Sequence, residues 1–202
     1  MTTIPVNLVA EGLLDEQVLR HLLTQCGRPF APGVCYGKRG RAHLEQNLPR
    51  FNRASAYQPF IVLADLDRDD CPPSLVRRWL PQGTHPNMIL RIAVREVESW
   101  LLADRESFAG FLGVSVAKVP AQPDNETDPK MYIVSLARRS RNKKLREAIA
   151  PFPGSTSRVG KNYVGQLTQF ILSQWSAERA RHHSPSLNRA LVALLHFSPV
   201  FV

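Results

Sequence analysis

An unbroken apolar run, Phe60 to Ala64, follows Pro59 and leads directly into the acidic stretch Asp65-Leu66-Asp67-Arg68-Asp69-Asp70. A run that is apolar at every position is typical of a strand buried on both faces in a parallel sheet. The stretch therefore predicts a buried parallel strand, with four carboxylates crowded at its carboxyl end.

Strand and helix patterns alternate through the first half of the chain. Strands are predicted at 4–10, 60–64 and 87–94, with a short one inside 33–40, and helices at 15–26, 41–53, 72–80 and 95–103. Such alternation implies crossover connections and a mostly parallel sheet. We therefore expect an α/β fold with a Rossmann-like core flanked by helices.

Beyond Asp104 the pattern is helical only. Helices are predicted at 106–112, 129–139, 143–150, 163–175 and 186–195, separated by loops rich in Pro and Gly. We place the boundary between 113 and 128, which predicts a catalytic α/β core over 1–112 and a basic helical extension over 113–202.

The positive charge of the chain lies in this last third. Residues 1–128 hold 14 Lys or Arg against 15 Asp or Glu, whereas residues 129–202 hold 12 against two. A basic lobe of this kind suits a polyanion, most commonly nucleic acid, although a merely solvated basic face is the alternative. The candidate phosphate-binding side chains are Arg138, Arg139, Arg141, Lys143, Lys144, Arg158 and Lys161.

The last two of these side chains belong to a loop, Gly154 to Lys161, that precedes a predicted helix. Its backbone N–H groups and hydroxyls suit a phosphate cradle, and a plain turn is the alternative. The loop is not a Walker A motif, because Asn162 follows Lys161 where Ser or Thr is needed.

Several classes of protein are disfavoured. No apolar run approaches the ~20 residues of a membrane span, and no secretory leader is recognisable, so we expect a cytoplasmic protein without membrane contact. Three cysteines without CxxC spacing argue against a disulfide framework and a zinc ribbon. The three tryptophans have helical spacing to apolar neighbours, which favours core packing over base stacking.

Acidic side chains follow three predicted strands: Glu11 the first, Asp65 and Asp67 the third, and Glu96 and Glu98 the fourth. Ligands of open parallel sheets bind beyond these carboxyl ends, and residues two apart on an extended segment face one side. Mg²⁺ takes carboxylate oxygens together with water and phosphates, so the sequence predicts a magnesium site, which Mn²⁺ can also fill, and no organic cofactor.

Two points stay open within this cluster. Asp69 and Asp70 also suit a cap for the helix near Pro72, which is a structural role. If the next helix begins at Arg95, Glu96 and Glu98 point about 200° apart, so only one would face the ion. We favour Glu98 and retain Glu96 as the other candidate.

The motifs LVAEG and VLADLD, with further acids after the next strand, resemble the Toprim domain of topoisomerases, bacterial primases and overcoming-lysogenization-defect nucleases. The segments IAVREVESWLLAD, RRSRNKKLREAI and PGSTSRVGKNY are similar to a family of small uncharacterised bacterial Toprim-like proteins. The broader likeness covers only about residues 4–104. Leu13-Leu14 stand where many relatives carry a small hydroxyl residue.

The resemblance implies that Glu11 is the general acid or base, that Asp65 and Asp67 bind magnesium, and that Glu96 and Glu98 take the place of additional acidic ligands. The resemblance also implies a nuclease acting on DNA or RNA. Because Toprim nucleases are associated with defence against phage, it suggests such a role as well. The alternatives are an inactive module of this fold that binds nucleic acid or a partner protein, and a metal-dependent enzyme of nucleotide or sugar phosphates.

Overall fold

The computed structural model describes residues 3–200. Their sheet contains β1 (Ile4–Ala10), β2 (Phe30–Gly37), β3 (Phe60–Asp65) and β4 (Met88–Ala93). The α-helices assigned within this range are α1 (Leu13–Gln25), α2 (Arg41–Ala54), α3 (Pro72–Trp79), α4 (Val97–Ala103), α5 (Arg105–Leu112), α6 (Pro129–Arg138), α7 (Lys143–Ile149), α8 (Tyr163–Ser173), α9 (Ala177–Ala180) and α10 (Pro185–His196). Short 3-10 turns at Val116–Lys118 and Pro123–Asn125 separate α5 from α6.

The four strands are parallel throughout and lie in the order β2-β1-β3-β4. Helix α1 packs against β1, β2 and β3, while α2 contacts β3. The predicted α/β fold, with a parallel sheet flanked by helices, is therefore confirmed. All six residues of β3 are buried, as the apolar run indicated.

One face of the sheet packs against α2 and α3. Its buried residues include Val62, Leu90 and Ile92 from the strands, with Leu48 and Trp79 from the helices. These side chains remove a continuous apolar surface from water, which is the main term that stabilises a sheet against its helices.

The described residues divide into two compact units. The first contains the chain up to Val94 together with the segment from Asn188 onward, and the second is Arg95–Leu187. This division follows compactness and says nothing about which part is catalytic. The catalytic core over 1–112 and the basic extension over 113–202 therefore stay predictions.

Aromatic residues fill the core of the second unit. Phe108 and Phe170 meet edge to face with ring centroids 5.1 Å apart. The Trp175 indole N–H donates to the Trp100 carbonyl at 3.0 Å, and the Trp100 indole N–H donates to Ser186 Oγ at 2.7 Å. Both indoles and that of Trp79 are buried, which confirms core packing for the three tryptophans.

Two expected helix starts, those of α1 and α4, were wrong, whereas α3 begins at Pro72 as predicted but lacks the expected side-chain cap. Helix α1 begins at Leu13 after Gly12, so Asp15, where we expected the helix to begin, lies in its first turn. Helix α3 follows Cys71 without a side-chain cap, because the Asp69 carboxylate is bound by two arginines instead. Helix α4 begins at Val97, and Glu96 precedes it in an extended conformation.

Between residues 3 and 200, every helix is too short or too polar to cross a bilayer.

Candidate functional site

Glu11 lies at the carboxyl end of β1, where the chain order of the sheet reverses. From β1 the chain continues to β2 on one side and later to β3 on the other, so the crevice between β1 and β3 is the topological switch point. Open α/β sheets bind their ligands at this point. The residue that the sequence singled out therefore lies at the place where this architecture binds ligands.

The backbone around Glu11 is fixed by the turn after β2. Gly40 N–H donates to the Glu11 carbonyl at 2.9 Å, and Lys38 N–H donates to the Ala10 carbonyl at 2.8 Å. Gly37 permits this close approach, because it has φ +87° and an added Cβ would lie 2.4 Å from the Ala10 carbonyl oxygen. Only glycine fits there without a shift of the backbone.

Asp65 and Glu11 are in direct contact. The Asp65 backbone N–H donates to Glu11 Oε1 at 3.1 Å. Asp65 ends β3 and is 9% exposed, whereas the Asp67 side chain is 39% exposed. Asp67 has φ +50°, so the chain has left the extended conformation, and the two carboxylates do not share one side of a continuous strand as we expected.

Arg41, the first residue of α2, binds the acidic turn after β3. Its Nη1 donates to Asp67 Oδ2 at 2.8 Å and to the Asp65 carbonyl at 3.1 Å. Its Nη2 donates to Asp69 Oδ2. The other carboxylate oxygen of Asp69, Oδ1, accepts a hydrogen bond of 2.7 Å from Arg78. The guanidinium also lies 5.1 Å from the centroid of the Trp79 ring. Part of the crowded negative charge is therefore neutralised within the protein.

Glu11 titrates near neutrality in this setting. Its pKa is raised from 4.5 to about 7, and burial is the largest cause of the rise. The hydrogen bond from the Asp65 backbone acts in the opposite direction and lowers the pKa. The carboxylates of Asp15 and Asp67 add to the rise, and Arg41 opposes it. A carboxyl group with a pKa near the working pH is suited to general acid or base catalysis.

Glu96 and Glu98 lie in the second unit and share one cation. Lys130 Nζ is 3.1 Å from Glu96 Oε1 and 3.5 Å from Glu98 Oε1. The Tyr163 hydroxyl donates to Glu98 Oε1 at 3.1 Å, and burial together with Glu98 raises the pKa of this tyrosine well above its usual value. We expected the two carboxylates to point about 200° apart if the helix began at Arg95. Helix α4 begins after Glu96, and both carboxylates approach Lys130 instead.

The candidate phosphate-binding side chains all lie in the second unit and are exposed. Lys143 is 3.8 Å from Glu147, and Arg158 pairs with Asp128. Within the described residues the remaining five have no ion-pair partner, namely Arg138, Arg139, Arg141, Lys144 and Lys161. Their charges are therefore open to an external anion.

The loop from Gly154 to Lys161 uses four of its eight backbone N–H groups in hydrogen bonds within the protein. Gly160 N–H donates to the Ile149 carbonyl at 2.8 Å, and Asn162 N–H donates to the Ala148 carbonyl at 3.1 Å. Ser157 N–H donates to Ser155 Oγ at 3.1 Å. This geometry favours a plain turn over a backbone phosphate cradle, so a phosphate here would depend on the side chains of Arg158 and Lys161.

The acids of the first unit fit Mg²⁺ by donor type. This ion commonly uses one or two carboxylates and completes its shell with water and phosphate oxygens, and Glu11, Asp65 and Asp67 can provide the carboxylates. The region described, residues 3–200, contains no group of three His, Cys, Asp or Glu already arranged around a metal. An ion bound by Asp67 would have to displace the Arg41 guanidinium from that carboxylate.

Sequence reasoning missed the cations that hold these acids. Arg41 was treated only as the start of a helix and Lys130 not at all. The sequence contained a signal for Arg41. Gly37 ends β2, and the basic turn Lys38-Arg39-Gly40-Arg41 that follows it lies at the same edge of the sheet as the acids. Lys130 is 32 residues beyond Glu98, and no spacing rule connects the two.

Comparison with known proteins gives no match to this chain among protein-family models, curated proteins or solved structures.

Proposed function

We propose that the protein performs metal-dependent phosphodiester chemistry on nucleic acid, as a nuclease, at the carboxyl ends of β1 and β3. One observation carries the proposal: Glu11 and Asp65 are hydrogen-bonded to each other at the switch point of the sheet, and Asp67 lies in the turn that follows. The likeness of LVAEG and VLADLD to Toprim motifs supports the same residues.

Each side chain has a role in this proposal. Glu11 is held at Oε1 by the Asp65 N–H, which leaves Oε2 to take or give a proton. Asp65 and Asp67 provide oxygens for Mg²⁺ or Mn²⁺. When bound, such an ion polarises a phosphoryl oxygen and activates water. Arg41, once released from Asp67, is placed to bind a phosphate through its planar guanidinium.

The substrate of this proposal is a polyanion bound by the second unit. Between residues 138 and 161 the chain has eight Lys or Arg and a single acid, Glu147. Contacts of such side chains to phosphates provide affinity without reading the bases. We therefore expect binding to DNA or RNA that weakens steeply with salt.

Cleavage assays on labelled single- and double-stranded DNA and RNA test the proposal. With Mg²⁺ or Mn²⁺, Asp67→Asn and Glu11→Gln should each lower the cleavage rate by about 100-fold or more. Asp70→Asn is the matched control, because this exposed carboxylate of the same turn has no ion pair among the described residues. Equal rates in all three variants would exclude these residues as the catalytic set.

Arg41 favours a second candidate, a module of the same fold that binds nucleic acid without turnover. Its guanidinium already neutralises Asp67 and Asp69, which is the role a metal would otherwise have. Metal binding separates the two candidates independently of cleavage. Electron paramagnetic resonance of Mn²⁺ titrated with the protein should show a site that Asp67→Asn removes if the enzyme is present, and no such site for a pure binding module.

A further inference from the structure

A cavity of about 740 Å³ lies along β4 in the first unit. Its walls come from β4, from the start of α3 and from the part of α10 that begins at Asn188. None of its lining residues belongs to the candidate site around Glu11. Its size is within the range of small-molecule sites, which is about 300–1,000 Å³.

Arg91 is the unusual residue of this cavity. It is the one charged residue of β4, MILRIA, and is only partly exposed. Its Nε atom is buried and lacks a hydrogen-bond partner among residues 3–200. Burial lowers the pKa of Arg91, and repulsion from Arg189 lowers it further. A desolvated cation beside a second cation destabilises the protein unless an anion joins them.

The cavity brings cations together without acids. Arg77, Arg91 and Arg189 line it, and among residues 3–200 no Asp or Glu does. Arg77 donates to Ser74 Oγ at 3.2 Å, a neutral partner. Within the described part of the chain, neither Arg91 nor Arg189 has an ion pair. A bound anion would compensate these guanidinium groups, above all the partly buried Arg91.

The rest of the lining is mostly apolar. Pro73, Val76, Met88, Ile89 and Ala193 contribute carbon surface, and Thr84 contributes a hydroxyl. Inorganic phosphate alone would leave these walls in contact with water. A ligand that matches the whole lining has a body with apolar surface and an anionic group, and planar guanidinium groups are well suited to phosphate.

We propose that this cavity binds a mononucleotide, with its phosphate between Arg91 and Arg189 and its base against the apolar wall. The cavity shares no lining residue with the proposed catalytic centre or with the basic segment 138–161, so it is a second nucleotide-binding function of the chain. It does not depend on the nuclease proposal.

Isothermal titration calorimetry of the full chain with AMP, GMP, CMP and UMP tests this site. At least one nucleotide should bind with a Kd below about 1 mM, the weak end of specific small-molecule binding. Adenosine and inorganic phosphate, which each lack half of the recognised chemistry, should bind about tenfold more weakly or not at all. Failure of all four nucleotides to bind would overturn the proposal.

Variants then assign the binding to the cavity. Arg91→Leu and Arg189→Leu should each weaken nucleotide binding by about tenfold or more, as expected for loss of a charge-assisted hydrogen bond. Arg50→Leu is the control, since Arg50 is an exposed arginine of the same unit outside the cavity. Because Arg189 is itself exposed, its variant remains informative even if Arg91→Leu does not fold.

Thermal unfolding provides an independent measurement. Without ligand, Arg91→Leu should raise Tm by about 2–4 °C, because it removes an uncompensated cation from an apolar strand. The nucleotide that binds the wild type should raise the wild-type Tm and leave that of the variant unchanged. A lower Tm for unliganded Arg91→Leu, or binding of an acidic peptide in place of every nucleotide, would contradict the proposal.

Discussion

The Oε1 atom of Glu11 accepts a hydrogen bond of 3.1 Å from the backbone N–H of Asp65. This contact joins the ends of β1 and β3, the two central strands of the sheet. It fixes one oxygen of a buried carboxyl group that lies among further acids. Burial of that group is the largest cause of its raised pKa.

Glu11 should make the metal-free protein less stable as the pH rises. Its pKa is about 7 in the folded state and 4.5 for a glutamate exposed to water, so between these values the folded state binds the extra proton. The free energy of unfolding therefore falls from about pH 4.5 to pH 7. Glu11→Gln, which stays neutral, should remove this part of the pH dependence.

Urea unfolding between pH 4 and pH 8 measures this difference. The variant should gain stability relative to the wild type as the pH rises, and saturating Mg²⁺ should narrow the gap by stabilising the ionised carboxylate of the wild type. A constant difference across the pH range would mean that Glu11 is not perturbed as the structure indicates.

Arg41 should contribute to stability by neutralising the acidic turn. Arg41→Met removes its hydrogen bonds to Asp67 and Asp69 while keeping an apolar side chain over Trp79. We expect a loss of about 1–3 kcal/mol in the free energy of unfolding, typical of hydrogen bonds to charged groups.

Magnesium should restore part of that loss, because it would bind the carboxylates that the variant leaves without Arg41. Denaturant unfolding with and without Mg²⁺ measures the effect, and Arg50→Met is the control. A variant as stable as the wild type would show that the arginine is not needed to hold the turn.

The sequence predicted the sheet well because its signals are local. Strand β1 matches the prediction, and β3 extends the predicted run by one residue, to Asp65. Both are marked by mainly apolar segments, continuous in β3 and interrupted by Asn7 in β1, which need no tertiary information. The helix caps were less predictable, since Asp15 and Asp69 are good caps by residue type but have other positions or partners in the fold.

The candidate site was predictable only in its acids. Strand-end carboxylates follow from the pattern of the sheet, as Glu11 and Asp65 show. Which cation neutralises which acid depends on long side chains that reach between loops, as Arg41 and Lys130 do. Burial is also a property of the whole fold, so the raised pKa of Glu11 has no signature in LVAEG.

Lys130 and Glu98 should be strongly coupled. The Glu98 side chain is 2% exposed, and Lys130 Nζ lies 3.5 Å from it. Lys130→Met removes the cation that faces this buried carboxylate, which should cost about 2–4 kcal/mol in unfolding free energy. Glu98→Gln combined with Lys130→Met should recover part of this loss, because the more deeply buried of the two carboxylates facing Lys130 then carries no charge.

A double-mutant cycle by urea unfolding measures this coupling, with Lys118→Met as a control for an exposed lysine of the same unit. Additive losses in the double variant would show that the two side chains act independently.

Arg179 should matter far more than its neighbour Arg181. The Asp104 side chain is 0% exposed and accepts hydrogen bonds of 2.9 and 2.8 Å from Nε and Nη2 of Arg179. Arg179→Met leaves that carboxylate with the Ser176 N–H, at an expected cost of about 2–3 kcal/mol.

Arg181 pairs with the exposed Glu178, so Arg181→Met should cost about 0.5 kcal/mol or less. Thermal and urea unfolding of the two variants compare them directly. Similar losses would contradict the assignment of Asp104 as a buried carboxylate that depends on Arg179.

The salt dependence of nucleic-acid binding should identify the basic surface. Arg139 and Arg141 are exposed and lack ion pairs within the described residues. If both contact phosphates of duplex DNA, changing them to Gln should reduce the slope of log K against log salt by about 2, since each contact releases about 0.9 counterion.

Changing Arg50 and Arg53 to Gln alters the net charge equally, but these exposed residues lie on α2 of the first unit. Fluorescence anisotropy between about 50 and 200 mM salt measures both pairs. Equal slopes for the two double variants would mean that net charge, and not this segment, binds the polyanion.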